Sequence, residues 1–120
     1  MKFCWCTIEV KDLEESLRFY QEIAGLSLVR RFSAGDVAEI AFLGDEPTKV
    51  ELICNKKQPP SGSGQGISLG FEVANLDDTM NFIHEKGLKI ESGPFEPNPH
   101  TRFFYVLDPD GVKIQFVENK

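Results

Sequence analysis

The sequence has few of the features that would place it in a membrane or in an oxidising compartment. No run of apolar residues approaches the roughly 18 that a membrane-spanning helix requires, and the N-terminal residues do not combine a basic with an apolar stretch as a signal peptide does. Only three cysteines occur, Cys4, Cys6 and Cys54, and none forms a Cys-x-x-Cys pair. We therefore expect a cytoplasmic protein without a disulfide framework, whose thiols are buried.

Large clusters of basic residues are also missing. The chain has 13 Lys and Arg against 19 Asp and Glu, a net charge of −6, and its basic side chains group no further than Arg30-Arg31 and Lys56-Lys57. Phosphate backbones and anionic headgroups are held by clustered basic residues. Nucleic acid and membrane surfaces are therefore not expected as partners.

What the chain does contain is an internal repeat. Residues 9–20 align with residues 72–83 at an offset of 63, and residues 49–53 align with residues 113–117 at an offset of 64, which also aligns Leu43 with Leu107. Two copies are too few for a solenoid. The 120 residues are thus predicted to form a single domain, with module one at about 1–55, a linker at about 55–66 and module two at about 67–120.

Each module has the pattern of a strand, a helix and three further strands. Residues 3–10 alternate between two faces, Asp12 is a helix N-cap, and Gly25 ends the helical spacing. The proline-rich residues 91–100 are predicted to form a loop over an opening. The fold class is therefore a mainly antiparallel α+β domain. The remaining strands are predicted at about Leu26–Phe32, Val37–Phe42, Val50–Cys54, Ile67–Val73, Leu88–Glu91, Arg102–Leu107 and Lys113–Glu118, and the second helix from Asn75 to about Lys86.

Four positions stand out where the alternation and the repeat are combined. The alternation assigns Cys4, Cys6, Ile8 and Val10 to the helix side of the first strand and leaves Trp5 on the inward side. The repeat equates Trp5 with Ser68 and Glu51 with Gln115. Alternation with a solvated outer face would also explain Glu51 and Gln115, but their equivalence favours a shared cleft.

Two segments carry a resemblance to a known family. The helix segment with Asp12-Leu13, Ser16 and Phe19-Tyr20, and the turn Asp108-Pro109-Asp110-Gly111 before the last strand, resemble the signature segments of the vicinal oxygen chelate superfamily, which includes glyoxalase, bleomycin-resistance and dioxygenase-like proteins. The resemblance implies two tandem β-α-β-β-β modules that form a partly open, barrel-like sheet around a cleft. It also implies a homodimer.

The resemblance further implies where a metal would bind. In metal-dependent members such as glyoxalase I, four inward side chains hold a divalent ion, and the matching positions here are Trp5, Glu51, Ser68 and Gln115. The family pattern has His or Gln at the first position, His at the third and Glu at the second and fourth, so only Glu51 is retained. Tryptophan does not ligate, and neutral amide and hydroxyl oxygens are weak ligands. We therefore expect no metal and no other cofactor.

The expected function is the binding of a small organic molecule in the cleft. Trp5 would stack on the ligand, while Glu51, Ser68 and Gln115 would orient its polar groups. The alternative is a metal-dependent lyase or isomerase of the glyoxalase I type, with Glu51 as the catalytic base. A pure interaction module, in which Trp5 fills the core, is also left open by the sequence. Three more residues are expected to line the mouth of the cleft: Arg102, Tyr105 and Phe95.

Overall fold

A computed structural model describes residues 1–60 and 65–120 of the chain. They form two compact units, Met1–Gly62 and Ser63–Lys120. No helix in the described residues is both long and apolar enough to cross a membrane. The two units have the same order of elements, as the internal repeat predicts.

The first unit is a four-stranded mixed sheet with one helical segment against it. The strand order is β1-β4-β3-β2, in which β1 and β4 are parallel and the other neighbours antiparallel. A π-helical turn at Phe19–Ile23 continues the helix. The elements are β1 (Trp5–Glu9), α1 (Leu13–Arg18), β2 (Leu28–Ala34), β3 (Ala38–Leu43) and β4 (Lys49–Asn55).

The second unit repeats this arrangement. Its sheet has the order β5-β8-β7-β6, with β5 and β8 parallel and the other neighbours antiparallel. Neither sheet closes on itself. The α+β class and the repeated β-α-β-β-β unit are therefore confirmed. The elements are β5 (Ser68–Glu72), α2 (Leu76–Glu85), β6 (Ser92–Asn98), β7 (Thr101–Leu107) and β8 (Lys113–Asn119).

Both helices begin and end where the sequence predicts. The Asp12 side chain accepts a hydrogen bond from the Glu15 N–H, and Asn75 accepts one from the Asp78 N–H. After the helices the chain turns at Gly25 and Gly87, whose φ angles are 72° and 74°. Glycine adopts these positive φ angles without strain because it has no Cβ.

The helix side of each sheet forms the core. α1 lies against β4, and α2 lies against β8. Since the described part of each unit has a single helical segment, the opposite face of each sheet is free of a helix from its own unit. The core is formed in the first unit mainly by Ile8, Val10, Leu13, Leu17, Tyr20, Leu43 and Leu52, and in the second mainly by Leu76, Ile83, Phe104, Val106, Ile114 and Phe116.

Three local predictions are wrong. Residues 88–91 are not a strand, and the proline-rich segment predicted as a loop contains β6 instead. β6 lies at the edge of the sheet, where Pro94 and Pro97 interrupt few ladder hydrogen bonds. The thiols are not buried either, because Cys4 is exposed and the other two are half-buried. The predicted linker begins in β4, and its residues 61–64 lie outside the described residues.

The alignment of Leu43 with Leu107 is also wrong, by one residue. Leu43 pairs with Val50, and Ile114, the equivalent of Val50, pairs with Val106. Leu43 and Val106 are both buried, whereas Leu107 is 45% exposed. The offset between the modules is therefore 63 on β3 and β7 and 64 on β4 and β8. The extra residue of the second module lies in the hairpin between its last two strands.

Candidate functional site

The face of the first sheet opposite α1 carries two of the predicted site residues. In the parallel pairing of β1 with β4, Trp5 lies beside Lys49 and Thr7 beside Glu51. Across the antiparallel neighbours, Glu51 pairs with Phe42 and Phe42 with Arg30. Side chains of paired residues lie on the same face of a sheet. We call this set the first open face: Trp5, Thr7, Arg30, Phe42, Lys49 and Glu51.

Glu51 is half-buried and has a defined partner on this face. Thr7 Oγ1 donates a hydrogen bond to Glu51 Oε1 at 2.5 Å. A carboxylate that accepts a hydrogen bond from a neighbouring hydroxyl is held in one orientation by it. Thr7 was not among the predicted site residues, although its position two residues after Trp5 puts it on the same side of β1.

Trp5 contributes an accessible indole to the same face. It is 47% exposed and meets Phe42 edge to face, with ring centroids 5.2 Å apart and an interplanar angle of 76°. The Phe42 ring in turn stacks on Phe32 at 6.3 Å. The guanidinium of Arg30 lies 4.6 Å from the centroid of Phe42 and 5.3 Å from that of Phe32, within the range of a cation–π interaction.

The second sheet has an equivalent face, on which Gln115 has a partner. Gln115 lies between Gly70 and Tyr105 in the sheet, and its Nε2 donates to the Tyr105 hydroxyl at 3.2 Å. A Cβ at Gly70 would lie only 3.1 Å from Gln115 Oε1, so the glycine leaves the space that the amide occupies. Ser68 lies beside Lys113, two residues along from the Gly70–Gln115 pair and therefore on the same face. The second open face is formed by Ser68, Gly70, Phe95, Phe103, Tyr105, Lys113 and Gln115.

An aromatic cluster occupies part of the second open face. Phe95 meets Phe103 at 5.5 Å and Tyr105 at 6.3 Å, and Phe103 meets Tyr105 at 5.7 Å between ring centroids. Lys113 Nζ lies 5.0 Å from the Tyr105 centroid. Phe95 reaches this cluster from the edge strand β6, which replaces the predicted loop.

Arg102 lies on the other face of the second sheet. It pairs with Glu118 in the β7–β8 ladder, three residues from the Tyr105–Gln115 pair, and an odd separation along a strand puts its side chain on the opposite face. Its guanidinium contacts Asp77 of α2 at 3.3 Å, and the hydrogen bond to Asp77 raises the pKa of Arg102. The structure thus joins Tyr105, Phe95, Gln115 and Ser68 on one face and separates Arg102 from them.

The sequence analysis also missed Arg30 and Phe42. The alternation of β2 was the available signal, because it separates Arg30 and Phe32 from Arg31. Arg31 instead pairs with Glu14 at 2.5 Å and Glu39 at 3.0 Å, and these hydrogen bonds raise its pKa. The two consecutive arginines therefore have different environments.

The four family-equivalent positions do not form a donor set for a divalent cation. An indole offers no ligating lone pair, Ser68 and Gln115 offer neutral oxygens, and Gln115 is already bonded to Tyr105. Within the described residues, no three His, Cys, Asp or Glu side chains are grouped as a metal site would require. His84 and His100 are both exposed. The residues present therefore do not fit the metal that the fold family implies.

Comparison with known proteins shows the family. A model of the Glyoxalase/Bleomycin resistance protein/Dioxygenase superfamily matches residues 2–116. A probable lactoylglutathione lyase of Synechocystis is 34% identical over 122 residues, covering 92% of this chain and 90% of the relative. The chain therefore belongs to the vicinal oxygen chelate superfamily.

Two solved structures have the same fold. Glyoxalase I of Leishmania major, a trypanothione-dependent enzyme, superposes with a TM-score of 0.84 at 22% identity, covering 98% of this chain and 86% of the other. An antibiotic-binding protein from a Streptomyces species gives a TM-score of 0.78 at 22% identity, covering 100% of this chain and 97% of the other. One fold thus serves an enzyme and a binding protein.

Proposed function

We propose that this protein binds a small planar organic molecule without a metal ion, at the open face that carries Trp5. The observation that carries the proposal is the half-exposed indole, held against Phe42 at the position that the family resemblance equates with a metal ligand. An indole face offers a flat apolar surface together with one N–H donor. Such a surface suits a planar ligand and does not suit a cation-ligating role.

The polar groups beside Trp5 support the same proposal. Glu51 is anchored by Thr7 and can accept a hydrogen bond from a ligand, and the N–H groups of Arg30 and Lys49 on the same face are donors. Apolar surface with a few oriented polar groups is typical of small-molecule sites. The antibiotic-binding protein from Streptomyces is an example of binding on this fold. The homodimer that the family resemblance implies is part of this proposal, and sedimentation equilibrium tests it.

A second candidate is a metal-dependent lyase or isomerase in which Glu51 acts as the base. The observation that favours it is the name lactoylglutathione lyase carried by relatives at 30–34% identity, of which the chain covers 90% or more. The four positions that the resemblance equates with metal ligands argue against this candidate, because only Glu51 keeps the residue type of the family pattern.

A thermal-shift screen of planar aromatic compounds tests the first candidate. We expect a bound compound to raise the Tm by about 5 °C at about ten times its Kd. EDTA should leave the shift unchanged. Trp5→Leu should weaken binding about tenfold by removing the stacking surface, whereas Phe82→Leu, an aromatic-to-leucine change on α2, should not alter it.

An activity assay separates the two candidates. The protein is incubated with a hemithioacetal substrate after EDTA treatment and again after addition of Ni²⁺, Zn²⁺ or Mn²⁺. We expect no isomerase activity in either state. Activity that EDTA removes, that metal restores and that Glu51→Gln abolishes would establish the enzyme and overturn the binding proposal.

A further inference from the structure

Each unit has a surface depression at the same place in the repeat. The depression in the first unit has a volume of ≈250 Å³ and that in the second ≈420 Å³. Their linings correspond at an offset of 63 or 64: Lys2 with Gln65, Trp5 with Ser68, Phe42 with Tyr105, and Lys49 with Lys113. The repeated fold therefore produces an equivalent depression in each unit. The first is the smaller, and it has the bulky Trp5 indole where the second has the small Ser68 side chain.

The two depressions differ in charge. Lys2, Arg30 and Lys49 line the first, whereas Lys113 is the cation that lines the second. No carboxylate side chain lines either one among the described residues. Three cations around an aromatic surface contrast with the net charge of −6 of the whole chain. The lining of the first depression is therefore the more positive of the two.

Arg30 is held in place by aromatic rings. Its guanidinium lies over Phe42 and Phe32, and these cation–π contacts hold the side chain in place without using its N–H groups in an ion pair. This differs from Arg31, whose N–H groups are engaged by Glu14 and Glu39. Lys49 Nζ donates to the backbone carbonyl of Glu46, which is a neutral acceptor, and it forms no ion pair with a carboxylate of the described residues.

The first open face also carries a carboxylate, Glu51, on the same sheet surface as Arg30 and Lys49. Arg30 and Glu51 flank Phe42 on opposite sides, so their backbones are two strand spacings apart, about 10 Å. The Phe42 ring lies between them, and Glu51 accepts its hydrogen bond from Thr7. The carboxylate therefore does not neutralise Arg30 by a direct contact.

We propose that the depression around Trp5 selects planar anions, such as aromatic carboxylates or sulfonates. The aromatic part of the ligand would lie against Trp5 and Phe42, and its acidic group would accept hydrogen bonds from Arg30 and Lys49. The inference rests on the proposed function, because Trp5 belongs to both, and it adds the charge class of the ligand. The second depression, with Tyr105 and one lysine, lacks this selectivity.

Three probes of nearly equal shape test the charge class: naphthoate, naphthamide and naphthylmethylammonium. Trp5 is the single tryptophan of the chain, so its indole N–H resonance in a two-dimensional proton–nitrogen spectrum reports on this depression alone. We expect naphthoate to bind about tenfold more tightly than naphthamide, and the ammonium compound to bind most weakly. High salt should reduce the difference.

Variants identify the cations responsible. Arg30→Gln and Lys49→Gln should each weaken naphthoate binding about fivefold to tenfold while leaving naphthamide unchanged, and Arg30→Lys should retain part of the preference. The matched control is Arg31→Gln, the adjacent arginine on the other face of β2, which should leave both affinities as in the wild type. Thermal melts of every variant verify folding.

Two results would overturn the inference. Equal affinity for naphthoate and naphthamide would show that charge is not selected, while the proposed function would stand, since planar molecules would still bind. If none of the three probes shifts the indole resonance, the charge inference is wrong, and the thermal-shift screen then decides the proposed function separately.

Discussion

Leu43→Ala is expected to lower the free energy of unfolding by about 2–5 kcal/mol, whereas Leu107→Ala should change it by less than about 0.5 kcal/mol. Leu43 is completely buried on the helix side of the first sheet, so truncation leaves a cavity, while Leu107 is 45% exposed. Urea unfolding monitored by circular dichroism measures both values. The chemical change is the same in the two variants, and burial is what differs.

This pair of leucines also tests the register of the repeat. The sequence aligns them with each other, but the strand pairing makes Val106 the equivalent of Leu43. Val106→Ala should therefore destabilise the protein clearly, at about 1–3 kcal/mol for its smaller side chain. Equal losses for Leu43→Ala and Leu107→Ala would contradict this register, because both leucines would then have to be buried.

Asp108→Ala is expected to lower the free energy of unfolding by about 2–3 kcal/mol. Asp108 is 5% exposed, and its Oδ1 accepts hydrogen bonds from the backbone N–H of Val112 at 2.8 Å and of Asp110 at 2.9 Å. Removing the carboxylate leaves a buried donor without its acceptor, and bonds to a charged group are the more costly ones to lose. Thermal or urea unfolding measures the change.

Asp36→Ala, in the exposed turn between β2 and β3, is the matched control and should be nearly neutral. Asp108→Asn should lose less than the alanine variant, since the amide oxygen can still accept a hydrogen bond. An Asp108→Ala variant as stable as the wild type would refute the structural role. The Asp-Pro-Asp-Gly segment that carries the family resemblance therefore closes the turn before β8, which explains why it indicates the fold and not a particular activity.

The candidate site was predictable in part. Period-two alternation separates Trp5 and Thr7 from Cys6 and Ile8, and the repeat equates Glu51 with Gln115; the structure places Trp5 with Glu51 on one face and Ser68 with Gln115 on another. Those relations depend on local geometry, because successive side chains of a strand point to opposite faces. The roles of these residues in binding remain predictions.

Other parts of the site depend on strand pairing and were not predictable. Phe42 lies between Arg30 and Glu51 only because β3 lies between β2 and β4, and a shift of one residue would have placed a different side chain there. Arg102 meets Asp77 because α2 packs on the face of the second sheet opposite Tyr105.

The sequence by itself determined the two β-α-β-β-β modules, the helix boundaries and the side of each strand on which Trp5, Glu51 and Gln115 lie. These features follow from spacing, capping and turn residues, which act over a few neighbouring positions. The resemblance of two segments to a known superfamily indicated the family. Only the tertiary structure decided the edge strand β6, the register that equates Leu43 with Val106, and the cations that surround Trp5. Each of these depends on hydrogen bonds and contacts between residues distant in the chain, whose partners a local pattern does not specify.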